Sequence, residues 1–206
     1  SKASILAGLL VVASVLGVLL NINRIRFVNK VNVPLNQPVP FSHKHHVTGL
    51  GIDCRYCHTT VEKGAFAGIP ATETCMTCHS QLYTEAPLLE PVRASYRDNT
   101  PIEWNRVHDL PDFVYFNHSV HVSKGIGCQS CHGQVEQMPL VWKANSLNME
   151  WCLECHREPE KYIRPREEVF NVSYRPPEDQ EALGKRLVAE YKVNKEPLTN
   201  CSICHY

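Results

Sequence analysis

Apolar residues run without a single charge from Ala3 to Leu20, eighteen consecutive positions. As a helix this run reaches about 27 Å, close to the thickness of a bilayer's hydrocarbon layer. Residues 1–22 are therefore expected to be a transmembrane signal anchor. The competing reading is the apolar core of a cleaved secretory signal. No small-x-small site follows, however, and the run leads into Asn21-Ile22-Asn23-Arg24. Residues 23–40, with Asn29–Pro40 rich in Val, Asn and Pro, read as an extended tether. Beyond it, helical periodicity is scarce. His118 and His121, three apart, share one face of a helical turn. Over Pro177–Asn194, Leu183, Leu187, Val188 and Tyr191 recur at helical spacing and predict one packing helix. Fourteen prolines and so few regular segments cannot build a conventional side-chain core.

The pattern does repeat. Phe41-x-His43-x-x-His46-Val47 is followed by Gly51-Ile52-x-Cys54-x-x-Cys57-His58-x-x-Val61-Glu62 and by Glu73-x-Cys75-x-x-Cys78-His79. The same order returns as Phe116-x-His118-x-x-His121-Val122, Gly125-Ile126-x-Cys128-x-x-Cys131-His132-x-x-Val135-Glu136 and Glu150-x-Cys152-x-x-Cys155-His156. The copies span 41–79 and 116–156. A last Cys201-x-x-Cys204-His205 stands alone, separated from His156 by 44 residues.

All ten cysteines thus fall in five C-x-x-C-H motifs, and none is left for a disulfide. Cysteines three apart can each form a thioether to one edge of a porphyrin, and the adjacent histidine then lies under the iron. A zinc ribbon or a thiol redox pair would also use paired cysteines. Neither needs a histidine after the second cysteine, which chance supplies only about 2–5% of the time at ordinary composition. The expectation is five covalently bound haem c groups. Cys54, Cys57, Cys75, Cys78, Cys128, Cys131, Cys152, Cys155, Cys201 and Cys204 would hold them, with His58, His79, His132, His156 and His205 as proximal ligands. The porphyrins would supply much of the missing apolar interior.

At 206 residues the chain is one ordinary domain beyond its anchor, 41–206, and its net charge of zero gives no reason to expect a nucleic-acid partner. Charge beside the span points the other way from the haems. Arg24, Arg26 and Lys30 follow it and only Lys2 precedes it, which by the positive-inside rule would put the bulk of the chain in the cytoplasm. Haem attachment is completed on the outer face in bacteria, so the motifs decide for a haem domain in the periplasm on the cytoplasmic membrane. Basic residues ahead of Ser1 would restore the balance.

Candidates for the far side of each iron are His43, His45, His46, His108, His118 and His121, with Met76, Met138 and Met149. The repeat aligns His43 with His118 and His46 with His121, whereas His45 aligns with Val120 and reads as a surface or supporting residue. Met76 lies inside its own haem loop and is badly placed for that iron. An iron with two protein ligands has no open position and only exchanges electrons. No C-x-x-C-K motif, which keeps one iron open in some multihaem reductases, occurs here.

The Phe-x-His-x-x-His segments resemble those of small multihaem cytochromes. That resemblance implies that His43 serves the Cys54 haem, His46 the Cys75 haem, His118 the Cys128 haem and His121 the Cys152 haem. The fifth haem is then left with His108 or a methionine, Met149 and Met138 competing. FNHSVHVSKGIGCQSCHG, with VHDLPDFVYF before it and LNMEWCLECHREP after it, resembles the membrane-anchored pentahaem cytochrome c subunit of alternative complex III over essentially the whole chain. The resemblance implies a mostly irregular, α-containing multihaem cytochrome c with class III-like haem packing on one transmembrane helix. It also implies an electron-transfer subunit of a respiratory quinol:acceptor oxidoreductase. Its neighbours would be integral membrane subunits and an iron–sulfur subunit, and its electrons would pass to a monohaem cytochrome or a terminal oxidase. The alternative is a stand-alone quinol dehydrogenase cytochrome feeding periplasmic reductases. That type carries C-x-x-C-H-x-M on its first haem, where this chain has Thr59 and Thr60 after His58. A pentahaem nitrite reductase fits less well for want of an open iron.

Overall fold

The computed structural model describes residues 1–22 and 25–205, apart from the side chains of Arg26 and Phe27. Arg24 and the Arg26 side chain, two of the charges flanking the span, lie outside the described residues. The architecture is short helices joined by irregular chain. Among the described residues there are no strands, only isolated pairings of Val31 with Lys143, Val114 with His205 and Ile126 with Ile163.

Helix α1, Lys2–Asn21, covers the apolar run and starts at Ser1, whose side chain accepts a hydrogen bond from the Ser4 amide at 3.3 Å. No residue of α1 is buried, and it is the one described helix long and apolar enough to cross a membrane. Helix α2, Arg26–Asn29, is a single turn. The following stretch turns at Lys30 and Asn32, both at positive φ, and is pinned: the Asn32 amide donates to Lys143 O at 2.8 Å and the Leu35 amide to Val141 O at 3.3 Å. Gln37 and Asn105 exchange hydrogen bonds at 2.8 and 2.9 Å.

Cysteine pairs and helical turns coincide. Three motifs are single turns, α3 (Cys54–Cys57), α7 (Cys128–His132) and α10 (Cys201–Cys204); two close longer helices, α4 (Thr72–His79) and α8 (Met149–Arg157). A turn sets residues i and i+3 on one face, so both sulfurs of each motif address the same edge of a ligand. Between the copies lies α5, Glu90–Asp98, which the sequence pattern did not announce. It packs on α4 through buried Val92 and through Ser95, whose hydroxyl meets that of Thr72 at 2.7 Å. In copy one the His46 turn is a wide π-turn, Lys44–Gly49, whereas copy two has the α-helical α6, His118–Ser123.

Helix α9, Gln180–Glu190, is the packing helix expected from the periodicity. It begins three residues later than the pattern, where the Asp179 carboxylate accepts from the Ala182 amide at 3.2 Å. Its partner is the chain's own turn at Pro159–Lys161. Ile163, Leu187 and Tyr191 form its buried cluster, with Ile126, Leu183, Val188 and Val193 around them. Elsewhere burial is thin: Val39, Val61, Val92, Met138 and Val169 complete the buried apolar side chains among the described residues. A β-carbon at Gly184 would run into the carbonyl of Glu160; only glycine lets α9 approach this closely. Gly184→Val is expected to cost about 1–3 kcal/mol by overpacking, lowering the thermal midpoint with the absorption spectrum unchanged at room temperature. An unchanged midpoint would show that this approach does not matter to the fold.

Candidate functional site: opposed imidazoles at the cysteine motifs

Four imidazole pairs face one another. His43 and His58 lie parallel with centroids 6.5 Å apart and planes 6° off, and His118 and His132 repeat this at 6.3 Å and 6°. His46 faces His79 at 6.3 Å with planes at 65°, and His121 faces His156 at 6.3 Å and 25°. A metal held between two imidazoles needs two bonds of about 2 Å plus about 1.1 Å from each nitrogen to its ring centre, about 6.2 Å in all. The gaps fit one metal ion each. Ring-on-ring contact would close them.

The tautomers fit as well. Nδ1 of His46 donates to Ser42 O (2.8 Å), of His58 to Gly68 O (2.6 Å) and of His79 to Leu82 O (3.2 Å). Nδ1 of His118 donates to Ala65 O (2.7 Å), of His121 to Asn117 O (2.8 Å) and of His156 to Leu198 O (2.9 Å). A carbonyl accepts only from N–H, so these bonds fix the proton on Nδ1 and leave the Nε2 lone pair free for a metal. His43 departs from its counterpart His118: its Nδ1 is buried without a partner. Burial, with His58 and His46 adding, holds His43 down to about 4, and burial with four neighbouring imidazoles holds His132 down to about 3. Burial likewise lowers His46 and His121. Neutral imidazole, the metal-binding form, is favoured at each.

Phe41 and Phe116 hold these pairs apart. Phe116 stands edge-on to His118 at 4.8 Å and stacks on His121 at 4.7 Å; Phe41 does the same to His43 (5.0 Å) and His46 (4.3 Å). One ring thus sets the divergence of two imidazoles three residues apart. His45 is exposed and touches His46 edge-on at 5.3 Å. His108 lies against His132 at 4.3 Å, edge-on, too close for an intervening metal. The ring beside His205 is Phe113, at 5.7 Å. Met138 is buried at 1% exposure near Gly133, directly after the third motif, whereas Met149 is 63% exposed.

Neighbouring motifs can be read from their contacts. Tyr56, in the first, bonds Thr77, in the second, at 3.0 Å, and Cys75 feels the charge of Cys57. The Cys54 and Cys128 side chains are close neighbours, and α6 is docked on the first motif's loop through the Ser119 amide to Gly64 O at 3.1 Å. Cys131 and Cys155 are pushed up to about 11 and about 12, by burial first and by neighbouring cysteines of the third and fourth motifs second. The fourth meets the fifth where Cys152 feels Cys204 and His156 bonds Leu198.

Comparison with known proteins agrees with this arrangement. Residues 114–206 match the family "Cytochrome c7 and related cytochrome c", and residues 23–100 match the "Class III cytochrome C family". The chain is a multihaem cytochrome c of the class III and c7 kind. The two matches divide the cytochrome between the copies of the repeat, and c-type haem, bound covalently, is its cofactor. Over 97 residues the cytochrome is 38% identical to the menaquinone reductase, multiheme cytochrome c subunit, of Nitratidesulfovibrio vulgaris. That match takes in 47% of this chain and 45% of the relative, so the cytochrome spans under half the length of the curated relative it matches.

Proposed function

We propose that the chain is a membrane-anchored pentahaem electron wire in a quinone-linked respiratory complex of a bacterial cytoplasmic membrane, its haem domain in the periplasm. The observation that carries this reading is the four imidazole pairs at one-metal spacing. An iron closed from both sides transfers electrons and offers substrate no position. His43 and His58 would hold the first iron, His46 and His79 the second, His118 and His132 the third, and His121 and His156 the fourth. His205 would hold the fifth. His108 and Met138 are already packed at the third motif, which leaves Met149 as its distal candidate. Haem itself supplies the one-electron couple; the chain's residues close each iron, aim each imidazole and exclude water.

The motif contacts support a spatial order of second, first, third, fourth, fifth. In that order the two ends are the motifs with an exposed cysteine, Cys78 and Cys201. The apolar α1 supports residues 1–22 as the anchor, with 23–40 as the tether and 41–206 as the haem domain.

The finer assignment is the pentahaem subunit of alternative complex III, taking electrons from quinol by way of membrane and iron–sulfur subunits to a monohaem cytochrome or oxidase. The relative's name favours a second reading, in which electrons run toward menaquinone. The complex purified through this chain separates them. Quinol that reduces the haems supports the first direction. Haems that ignore quinol but are reoxidised by added menaquinone support the second.

Intact mass is expected to exceed the polypeptide by five haem groups; four or fewer, or zinc, would remove the pentahaem reading. His43→Ala, His46→Ala, His118→Ala and His121→Ala are each expected to turn one haem high-spin, a different one each time, and His45→Ala none. Two of these variants opening the same iron would overturn the assignment. For the fifth haem, a methionine-to-iron charge-transfer band in the oxidised near-infrared spectrum that disappears in Met149→His would support Met149.

A further inference from the structure

Arg164 is a buried cation that the electron-wire reading leaves unused. It is only 7% exposed, and its guanidinium lies against Gly127, the residue before Cys128; any side chain at 127 would occupy its place. The backbone fixes it there. The Arg164 amide donates to Gly125 O at 2.8 Å, beside the Ile126–Ile163 pairing. No carboxylate pairs with it among the described residues. Its Nη1 donates to the main-chain O of Glu168 at 3.5 Å, its Cζ sits 4.5 Å over the Tyr174 ring, and Nε is buried without a partner. The Glu168 carboxylate bonds Asn171 instead. Glu136, the other buried charge, bonds Gln129 at 3.1 Å.

Such a placement opposes stability. Desolvating an unpaired ion costs several kcal/mol even after relaxation, and Gly127 caps the N-terminus of α7, the positive end of that turn. Burial weakens the group's hold on its proton, yet a guanidinium stays charged at neutral pH. The guanidinium faces the attachment turn of the third motif, lying against Gly127 directly before Cys128. Adding one electron there, from the neighbouring haem and with no bond changed, lowers the positive charge beside a fixed cation. In a low-dielectric interior that attraction is screened little.

We propose that Arg164 raises the reduction potential of the haem carried by Cys128 and Cys131, so that the middle of the wire holds electrons more readily than it would without the cation. The proposal rests on the haem reading above, and the test separates the two. Peptide mass on the wild-type protein first establishes haem on Cys128 and Cys131; its absence overturns the haem reading and this proposal together. Full-length, haem-loaded Arg164→Gln and Arg164→Lys in detergent are then titrated spectroelectrochemically, the third haem being marked by its shift in His118→Met. At fixed applied potential, Arg164→Gln is expected to lower the reduced-to-oxidised ratio of that haem about ten-fold, equivalent to about 59 mV for a one-electron couple. Arg164→Lys, which keeps the charge, stays near wild type. Unmoved potentials in Arg164→Gln overturn the proposal, as does an equal drop in Arg164→Lys, which would point to lost packing instead of lost charge.

Discussion

The structure depends on bringing two imidazoles to opposite sides of a gap one metal ion wide. Each of the four pairs joins residues from separate turns, His43 to His58 and His46 to His79 in one copy, His118 to His132 and His121 to His156 in the other. Facing rings without contact is an unstable arrangement for side chains alone, since the gap forfeits dispersion on both sides. The rings are held by what surrounds them: carbonyls that take up Nδ1–H, and a phenylalanine wedged between the two histidines of each Phe-x-His-x-x-His segment. With so few apolar side chains buried outside the α9 cluster, covalently held porphyrin has to provide the remaining interior.

The two copies are interlocked, not merely adjacent. The His118 ring takes its orientation from Ala65, in the first copy's loop, and Thr48 of the first copy bonds the Glu136 carbonyl of the second. The segment from Ile163 to Tyr174 then crosses both: Arg164 abuts Gly127, the Val172 carbonyl accepts from Gln129 at 2.8 Å, and Phe170 lies under the Arg55 guanidinium at 4.5 Å. Helix α9 secures that segment from behind, where Gln180 donates to the Ile163 carbonyl at 2.8 Å. A stretch without haem motifs therefore clamps the seam between the first and third motifs.

The chemistry was more legible in the sequence than the architecture. C-x-x-C-H spacing and the internal repeat carry their meaning in adjacent letters, and the periodicity of Leu183, Leu187, Val188 and Tyr191 survives into α9. Helix α5 was hidden because its buried face includes Ser95, a polar residue satisfied only by Thr72, far away in sequence. Phe41 and Phe116 were visible as letters, but their task, setting the angle between two histidines, needs three dimensions. His108 stands in the sequence beside Met149 and Met138 as a candidate for the fifth haem, and only the fold shows its ring against His132. Arg164 gave no signal at all, since one arginine in a charged, irregular stretch reads as solvated surface until the backbone buries it.

Exposure differs among the motifs. Cys128 and Cys131, at the third, are half-buried, and burial together with four neighbouring imidazoles holds His132 down to about 3. Cys78 and Cys201, at the second and fifth, are exposed. The stretch after α1 is fastened as well. Val31 pairs with Lys143, and the Leu35 amide donates to Val141 O, so the chain coming from α1 is fastened between the third and fourth motifs in sequence. The stretch that leaves α1 is thus tied to the second copy of the repeat before the first copy begins at Phe41.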